Sequence, residues 1–435
     1  MNLSRSQIII LGGVGLIVLF FILVFLGVIP GLKPSGSGGF KLGFDSGKEL
    51  DLSFWGTGEA DESNSVQRLI EEYSKSGSVQ VNYKHFDNTE VYERTLLNAL
   101  AIGKGPDIFM FHSSWLPKHY NKVFPAPEPL NVSYVQQMFP DVVQKDFTIE
   151  NNVYALPLYV DTLALFYNKD IFNAKSIALT PETWQDFENL IPKLRELNIL
   201  NQIVKPAAAI GGSEKSVNNA SDLLGLLMIQ KGSPMVDSDG QASFGTKSLE
   251  AFNFYLQFAD PSSDYYTWND NIDNSLNLFS QGDLAIMFNY QSAVQIIKEK
   301  NPYLSFGASL MPQFDTGRPM NYSDYWGLAV SAQSANKVAS WNFVVSATAD
   351  PKVSEAYLGA NGKPPALRSL IDKYKNDPSL GVFAKQALTA KSWSQPDSNG
   401  VKQILSDMIE SVINGKLSSD KALGQAVNQI LSLSQ

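Results

Sequence analysis

Residues 154–172 read YALPLYVDTLALFYNKDIF, and the character of the chain changes there. Two apolar β-like runs, 153–156 and 162–167, flank Pro157-Leu158-Tyr159-Val160-Asp161. Before this stretch, strand and helix patterns alternate. Leu50, Leu52 and Phe54 alternate with polar residues, and Val79, Val81 and Tyr83 do the same. Between them Val66, Leu69, Ile70 and Tyr73 keep the i, i+3, i+4, i+7 spacing of a half-buried helix. Tyr92, Leu96, Ala99 and Leu100 predict a second helix that stops at Gly103. Asp107-Ile108-Phe109-Met110-Phe111 is short and almost wholly apolar, as expected of a central parallel strand covered on both faces. Strands separated by helices predict βαβ units and a mostly parallel sheet.

Beyond residue 172 a helix is expected from Thr180-Pro181-Glu182, with Thr180 as N-cap and Pro181 at the first helical position. Its apolar stripe is Phe187, Leu190, Ile191 and Leu194, and Pro192 inside it predicts a kink or break. Leu249, Phe252 and Leu256 mark another helix ending at Asp260-Pro261, and a long helical stretch runs from about 398 to 433. Strands are expected at 284–288 and 328–331.

At 435 residues the chain has room for about two to four folding units. With 44% hydrophobic and 18% charged residues it is globular in composition. The net charge is −9, and −11 once residues 1–45 are set aside. An acidic body lacks the basic footprint that non-specific nucleic-acid binding needs. The absence of cysteine excludes disulfides, thiolate catalysis and thiolate zinc sites. Three histidines leave little material for a His-based metal centre.

From Ile8 to Ile29, 22 consecutive residues carry no charged or polar side chain. As a helix they would span about 33 Å, close to the roughly 30 Å hydrocarbon core of a bilayer. A cleaved signal peptide would have a shorter apolar region and a small-residue cleavage site, and none follows here. The expectation is an uncleaved single-pass anchor at 8–29 behind a tail at 1–7; the charge bias of its flanks does not orient it. Residues 30–48, rich in Gly and Ser, read as a flexible tether with a reach of about 20–25 Å.

Several strings resemble the extracellular solute-binding proteins of family 1, the class that includes the maltose-binding protein. They are FWGTGE at 54–59, GKGPDIFMF at 103–111, the 154–172 stretch, PETWQDF at 181–187 and FSQGDLAIMFNY at 279–290. The last is YWGLAVSAQSANKVASWNFVVSATADPKVSEAYL at 325–358, so the resemblance covers essentially all of 50–435 in order. It implies an α/β, two-lobe periplasmic-binding-protein-like fold of type II, with an N-terminal transmembrane helix added by the reading above. The first lobe is expected at 49–158 and 313–358, the second at 159–312 and 359–435. The resemblance further implies a monomeric receptor on the extracytoplasmic side of the cell membrane. It would close on a small-molecule solute, a sugar, and deliver it to the permease of an ABC importer, with no cofactor, metal or nucleic-acid partner.

Sugar clefts use flat aromatic faces to stack on pyranose C–H groups and fixed polar groups to receive hydroxyls. Trp55, Glu59 and Trp115 follow strand ends, where ligands of open α/β sheets bind. Tyr159 and Asp161 lie on the implied crossover, Trp268 in the loop Tyr265-Tyr266-Thr267-Trp268-Asn269-Asp270, and Trp326 just before a strand. Arg368 lies where the resemblance returns a segment to the cleft, although a salt bridge within a lobe would explain it equally. Each tryptophan could instead be core packing, the reading that wins for Trp184 and Trp341 inside helices.

Catalytic signals are thin. His112 and His119 are seven apart with Pro117 between them, which fits no metal-binding helix. Gly56-Thr57-Gly58 lacks the rest of a dinucleotide fingerprint, and no Walker-type loop occurs. A glycan-acting enzyme with paired carboxylates, or a sensor subunit of the same architecture, remains the alternative to a transport receptor.

Overall fold

The structure is a computed structural model that describes residues 50–58, 60–75 and 79–433. The expected tail, anchor and tether at 1–48, and Glu59, lie outside the described residues. Among the described residues no helix is long and apolar enough to cross a membrane.

The chain begins with β1 (Leu50–Thr57), α1 (Ala60–Ser74), β2 (Val79–Phe86), α2 (Thr89–Ala101), β3 (Ile108–His112) and α3 (Leu116–His119). Then come α4 (Asp141–Phe147), β4 (Ala155–Pro157), β5 (Asp161–Thr162) and β6 (Ala164–Asn168). Helices α5 (Trp184–Leu194) and α6 (Ala220–Gln230) precede β7 (Ile286–Asn289) and β8 (Phe306–Ser309). The chain returns on β9 (Asn321–Asp324) and β10 (Trp326–Val330), followed by α7 (Lys337–Ala349), α8 (Pro351–Asn361) and α9 (Arg368–Tyr374). It ends with β11 (Ala390–Lys391), α10 (Ser398–Ile413) and α11 (Ser419–Ser432).

The first sheet has the order β2-β1-β3-β10-β4. Strands β1, β2 and β3 are parallel, with Phe54 opposite Tyr83 and Ile108. Strand β10 enters antiparallel, with Leu328 opposite Met110 on one side and Leu156 on the other. Ile108, Phe109, Met110 and Phe111 are all buried, which is why the run carries no polar alternation. A smaller sheet, ordered β7-β6-β8, is antiparallel throughout.

Buried apolar side chains separate into two cores, one for each lobe. One gathers residues from Leu52 to Val160 and from Tyr325 to Ile371. The other gathers residues from Leu163 to Met311, then Tyr322 and the stretch from Trp393 to Ile430. Two expected boundaries therefore shift. Phe314 and Tyr322 pack with the second core, so the return falls at 321–324 and not at 313. Leu367, Leu370 and Ile371 pack into the first core, so 359–371 does not belong with the second lobe.

All three passages between the lobes meet in one sheet, ordered β11-β9-β5. Asn321 pairs with Ala390 in parallel, and Asp324 with Asp161 antiparallel. Hydrogen bonding them to one another satisfies backbone groups that an isolated connection would leave bare.

Local details also depart from the sequence reading. Helix α5 is capped by Thr183, in a capping box with Asp186, and not by Thr180. The Thr180 hydroxyl lies 2.7 Å from Ser309 Oγ instead. Pro192 sits in the last turn of α5, where the helix ends two residues later. The 398–433 stretch is two helices, broken at Gly415, whose φ of +69° takes the chain out of the helix.

Candidate functional site

Crossing strand β9 forms the floor of a cavity of about 210 Å³ between the lobes, through Tyr322, Ser323 and Asp324. A second compartment of about 250 Å³ shares Ser113, Ser114, Asp146, Trp393 and Gln395 with it. Neither alone reaches the roughly 300–1,000 Å³ usual for ligand clefts.

His112 ends β3 and faces the floor, its Nε2 2.8 Å from Asp324 Oδ1. Its Nδ1 lies 2.8 Å from Ser114 Oγ. Burial acts to lower the His112 pKa, but the charge and hydrogen bond of Asp324 reverse this and raise it above 6.5. Burial likewise acts to raise Asp324, and His112 outweighs it, holding that carboxyl below its ordinary 3.8. Each partner favours the charged form of the other, and the Asp324 side chain keeps 45% of its surface open toward the cleft.

The second lobe supplies Asp222, in the first turn of α6, whose Oδ2 accepts from the Tyr290 hydroxyl at 2.9 Å. Burial first, and then the nearby charge of Asp324, push Asp222 up to about 7. Lys402 of α10 also lines the cavity, its Nζ 3.3 Å from Glu214. Asp146 of α4 accepts from the Tyr325 hydroxyl at 2.9 Å and from the Ser392 hydroxyl, and burial pushes it up to about 6. Trp393 follows β11 and lines both compartments, braced edge-on against Phe244 at 5.9 Å. The cleft thus offers hydrogen-bond acceptors held in place by second partners, beside aromatic surface.

The residues singled out from the sequence scatter around this cavity. Trp115 and Trp326 pack edge to face at 5.1 Å beside the cleft, and the Trp326 ring is 4.9 Å from that of His112. Trp115 lines a recess adjoining the main cavity, whereas Trp326 lies behind His112. Asp161 is buried on crossing strand β5, accepting from the backbone N–H groups of Thr162 at 2.8 Å and Gln291 at 3.1 Å. Burial pushes its pKa up to about 7. Tyr159 is buried in the first core, stacked on Tyr357 at 6.3 Å with Lys363 over its ring at 5.0 Å.

None of the seven described candidates lines the main cavity, and the remaining three lie apart from it. Trp268 has no exposed surface; it sits in the second core with its Nε1 donating to Ser216 Oγ at 2.9 Å. Trp55 lies at the end of β1 outside the cavity lining, against Phe86 at 5.5 Å, with the Lys84 ammonium 4.3 Å from its ring centre. A ring whose face a cation already covers is a poor stacking surface. Arg368 binds Asp141 at 2.9 Å and the Gln136 carbonyl, a bridge within the first lobe.

The residues that the sequence reading passed over are His112, Asp146, Asp222, Tyr322, Asp324, Trp393 and Lys402. Asp324 stands one position before the YWG string, and Trp393 stands between two serines, Ser392 and Ser394. Those neighbours were visible signals. Among the described residues no cluster of three or more His, Asp or Glu could hold a metal ion, and His112 serves the cleft floor instead.

Two α/β lobes joined by three hydrogen-bonded crossings, with a polar and aromatic cleft between them, define a two-lobed solute receptor. The chain belongs to the bacterial extracellular solute-binding proteins, whose family model matches residues 57–352. It is a binding protein and not an enzyme. It is 24% identical to the maltotriose-binding protein of Pyrococcus abyssi (strain GE5 / Orsay), over 76% of this chain and 70% of that one. It is 22% identical to the galactooligosaccharide-binding protein of Bacillus subtilis (strain 168), over 88% and 89% of the two chains. In fold it is similar to the sugar-binding protein MalE of Xanthomonas citri, with a TM-score of 0.73 at 20% identity, covering 88% of this chain and 97% of that one.

Proposed function

We propose that the cleft captures a carbohydrate, a mono- or oligosaccharide, outside the cytoplasm and that the protein delivers it to an ABC importer. The observation that carries this reading is the convergence of Asp324 and Asp222 on a cavity that Tyr322 and Trp393 also line. Carboxylates accept from sugar hydroxyls, and aromatic rings cover the apolar faces of pyranoses. The names of the maltotriose- and galactooligosaccharide-binding relatives support the same class of ligand. Asp324, with Asp146 and Asp222 ionising near neutral pH, leaves Lys402 and His112 without a clear excess of positive charge, which disfavours an anionic ligand. A sugar touching both lobes would shift the open–closed balance by its differential affinity for the closed form. The protein works as a monomer, tethered to the membrane by residues 8–29 through the 30–48 linker.

Titration calorimetry against a panel of mono- and oligosaccharides, with a parallel assay for products, tests this reading. One-to-one binding without turnover is expected. Turnover of a glycan, or no binding across the panel, would overturn it. The mass of the native N-terminus tests the anchor: the chain should begin before residue 8, and a start between 30 and 46 would refute it.

A further inference from the structure

Lys118 and Asp397 come from different lobes. Lys118 lies on α3, whose Leu116 belongs to the first core. Asp397 immediately precedes α10, whose Val401, Leu405 and Ile409 belong to the second. Their Nζ and Oδ2 atoms are 2.5 Å apart. Both line the small recess beside the main cavity, and neither lines the main cavity itself. Asp397 is already fixed by its own helix, because its Oδ1 accepts from the Gly400 N–H at 2.9 Å. Of the Asp397 contacts, the one with Lys118 reaches the other lobe.

Nearer the crossing strands the same lobes meet again. Ser392, directly after β11, is held by two neighbouring residues of α4: Lys145 donates to its carbonyl, and its hydroxyl donates to Asp146. Ser392 directly follows a crossing strand, so a rotation of the lobes about the crossings would move these contacts little. The Lys118–Asp397 pair joins other elements, α3 and the start of α10, away from the crossing strands, and opening would separate it.

We propose that Lys118 and Asp397 form a latch that favours the closed arrangement of the lobes and so raises solute affinity without touching the solute. The latch rests on the reading of the cleft as the solute site, but its test needs no solute. With the two side chains 45% and 32% exposed, solvent screens the pair. The closed-to-open ratio should therefore change by at most about five-fold, the upper end for exposed ion pairs.

The chain has no cysteine, so Ile102→Cys and Leu179→Cys place one spin label on each lobe, at positions 70% and 81% exposed. Pulsed electron paramagnetic resonance on the full chain in lipid nanodiscs then reads the distance between the lobes. Lys118→Ala should shift the distribution toward the longer distance. Asp397→Asn should do so equally, because it removes the charge while keeping an oxygen to cap Gly400. The double variant should add nothing further. In 1 M NaCl, where the screening length falls to about 3 Å, the unsubstituted latch should open and Lys118→Ala should not respond. An unchanged distribution in Lys118→Ala, or losses that add in the double variant, would overturn the latch. A sugar panel without binding would overturn the carbohydrate reading and leave this result standing.

Discussion

The Nε2 atom of His112 lies 2.8 Å from Asp324 Oδ1, joining the last residue of β3 to a strand that crosses between the lobes. This pair couples the floor of the cleft to the sheet of the first lobe. The His112 pKa is raised, so its stabilising share is complete below 6.5 and is lost as pH rises through the folded value. The Asp324 pKa is lowered, so its share is present above 3.8 and lost as pH falls through the folded value. The ion pair is therefore intact between those limits.

Following the His112 imidazole by proton NMR should give a titration midpoint above 6.5. In Asp324→Asn the main charge partner is gone, leaving burial opposed only by the charges of Asp222 and Asp146, and the midpoint should fall. A midpoint that does not move would show that the carboxylate does not control the imidazole. If Asp324 receives a sugar hydroxyl, the same variant should weaken binding by about 1.5–3 kcal/mol, the usual worth of a hydrogen bond to a charged group.

Asp161 titrates in the opposite sense for a carboxylate, pushed up to about 7 by burial. A raised folded value means that the native state holds its proton more tightly than the unfolded state. The stabilising share is complete below the ordinary 3.8 and lost as pH rises through about 7. Asp161→Asn keeps an oxygen for the Thr162 and Gln291 N–H groups but cannot ionise. Urea unfolding should show the variant gaining on the parent protein between pH 5 and pH 8. A gap independent of pH would mean that Asp161 is not titrating within the fold.

Trp268 and Trp393 should separate stability from binding. Trp268→Ala opens a hole in the second core and should cost about 3–5 kcal/mol of stability, with the affinity of the folded fraction unchanged. Trp393→Ala should lose affinity as well, by about 1–3 kcal/mol if the ring stacks on a sugar. Melting curves and calorimetry, run below both melting temperatures, distinguish them. An affinity loss confined to Trp268→Ala would reverse the assignment.

Gly327 lies in β10, where an added Cβ would fall 2.5 Å from the Leu156 carbonyl oxygen and 2.7 Å from the Phe147 ring. The oxygen is backbone and cannot swing away without disturbing the pairing of β10 with β4. Gly327→Ala should therefore cost at least about 1–3 kcal/mol, the range for overpacked sites. An unchanged urea midpoint would show that the strands separate without cost.

The short-range patterns of the chain were legible because periodicity reports which face of an element is buried. The alternation in 50–54 and 79–83, and the apolar run 108–111, appear as three adjacent parallel strands. Helix caps were less legible: Thr180 and Thr183 both precede the α5 stripe, and only the Asp186 side chain, reaching back to Thr183, chooses between them.

By itself the sequence determined the α/β class and the two-lobed family, through strings spread in order from 54 to 358. It also determined what composition forbids, a cysteine-based site above all. Which aromatic rings reach the cleft was decided only by tertiary structure, because Trp268 and Trp393 both belong to the second core, the first with no exposed surface against Ser216 and the second with an edge left at the cavity. The site's charges were decided in the same way. Asp222, Asp324 and Lys402 are 78 or more residues apart along the chain, and only the meeting of three crossing strands brings them to one cavity.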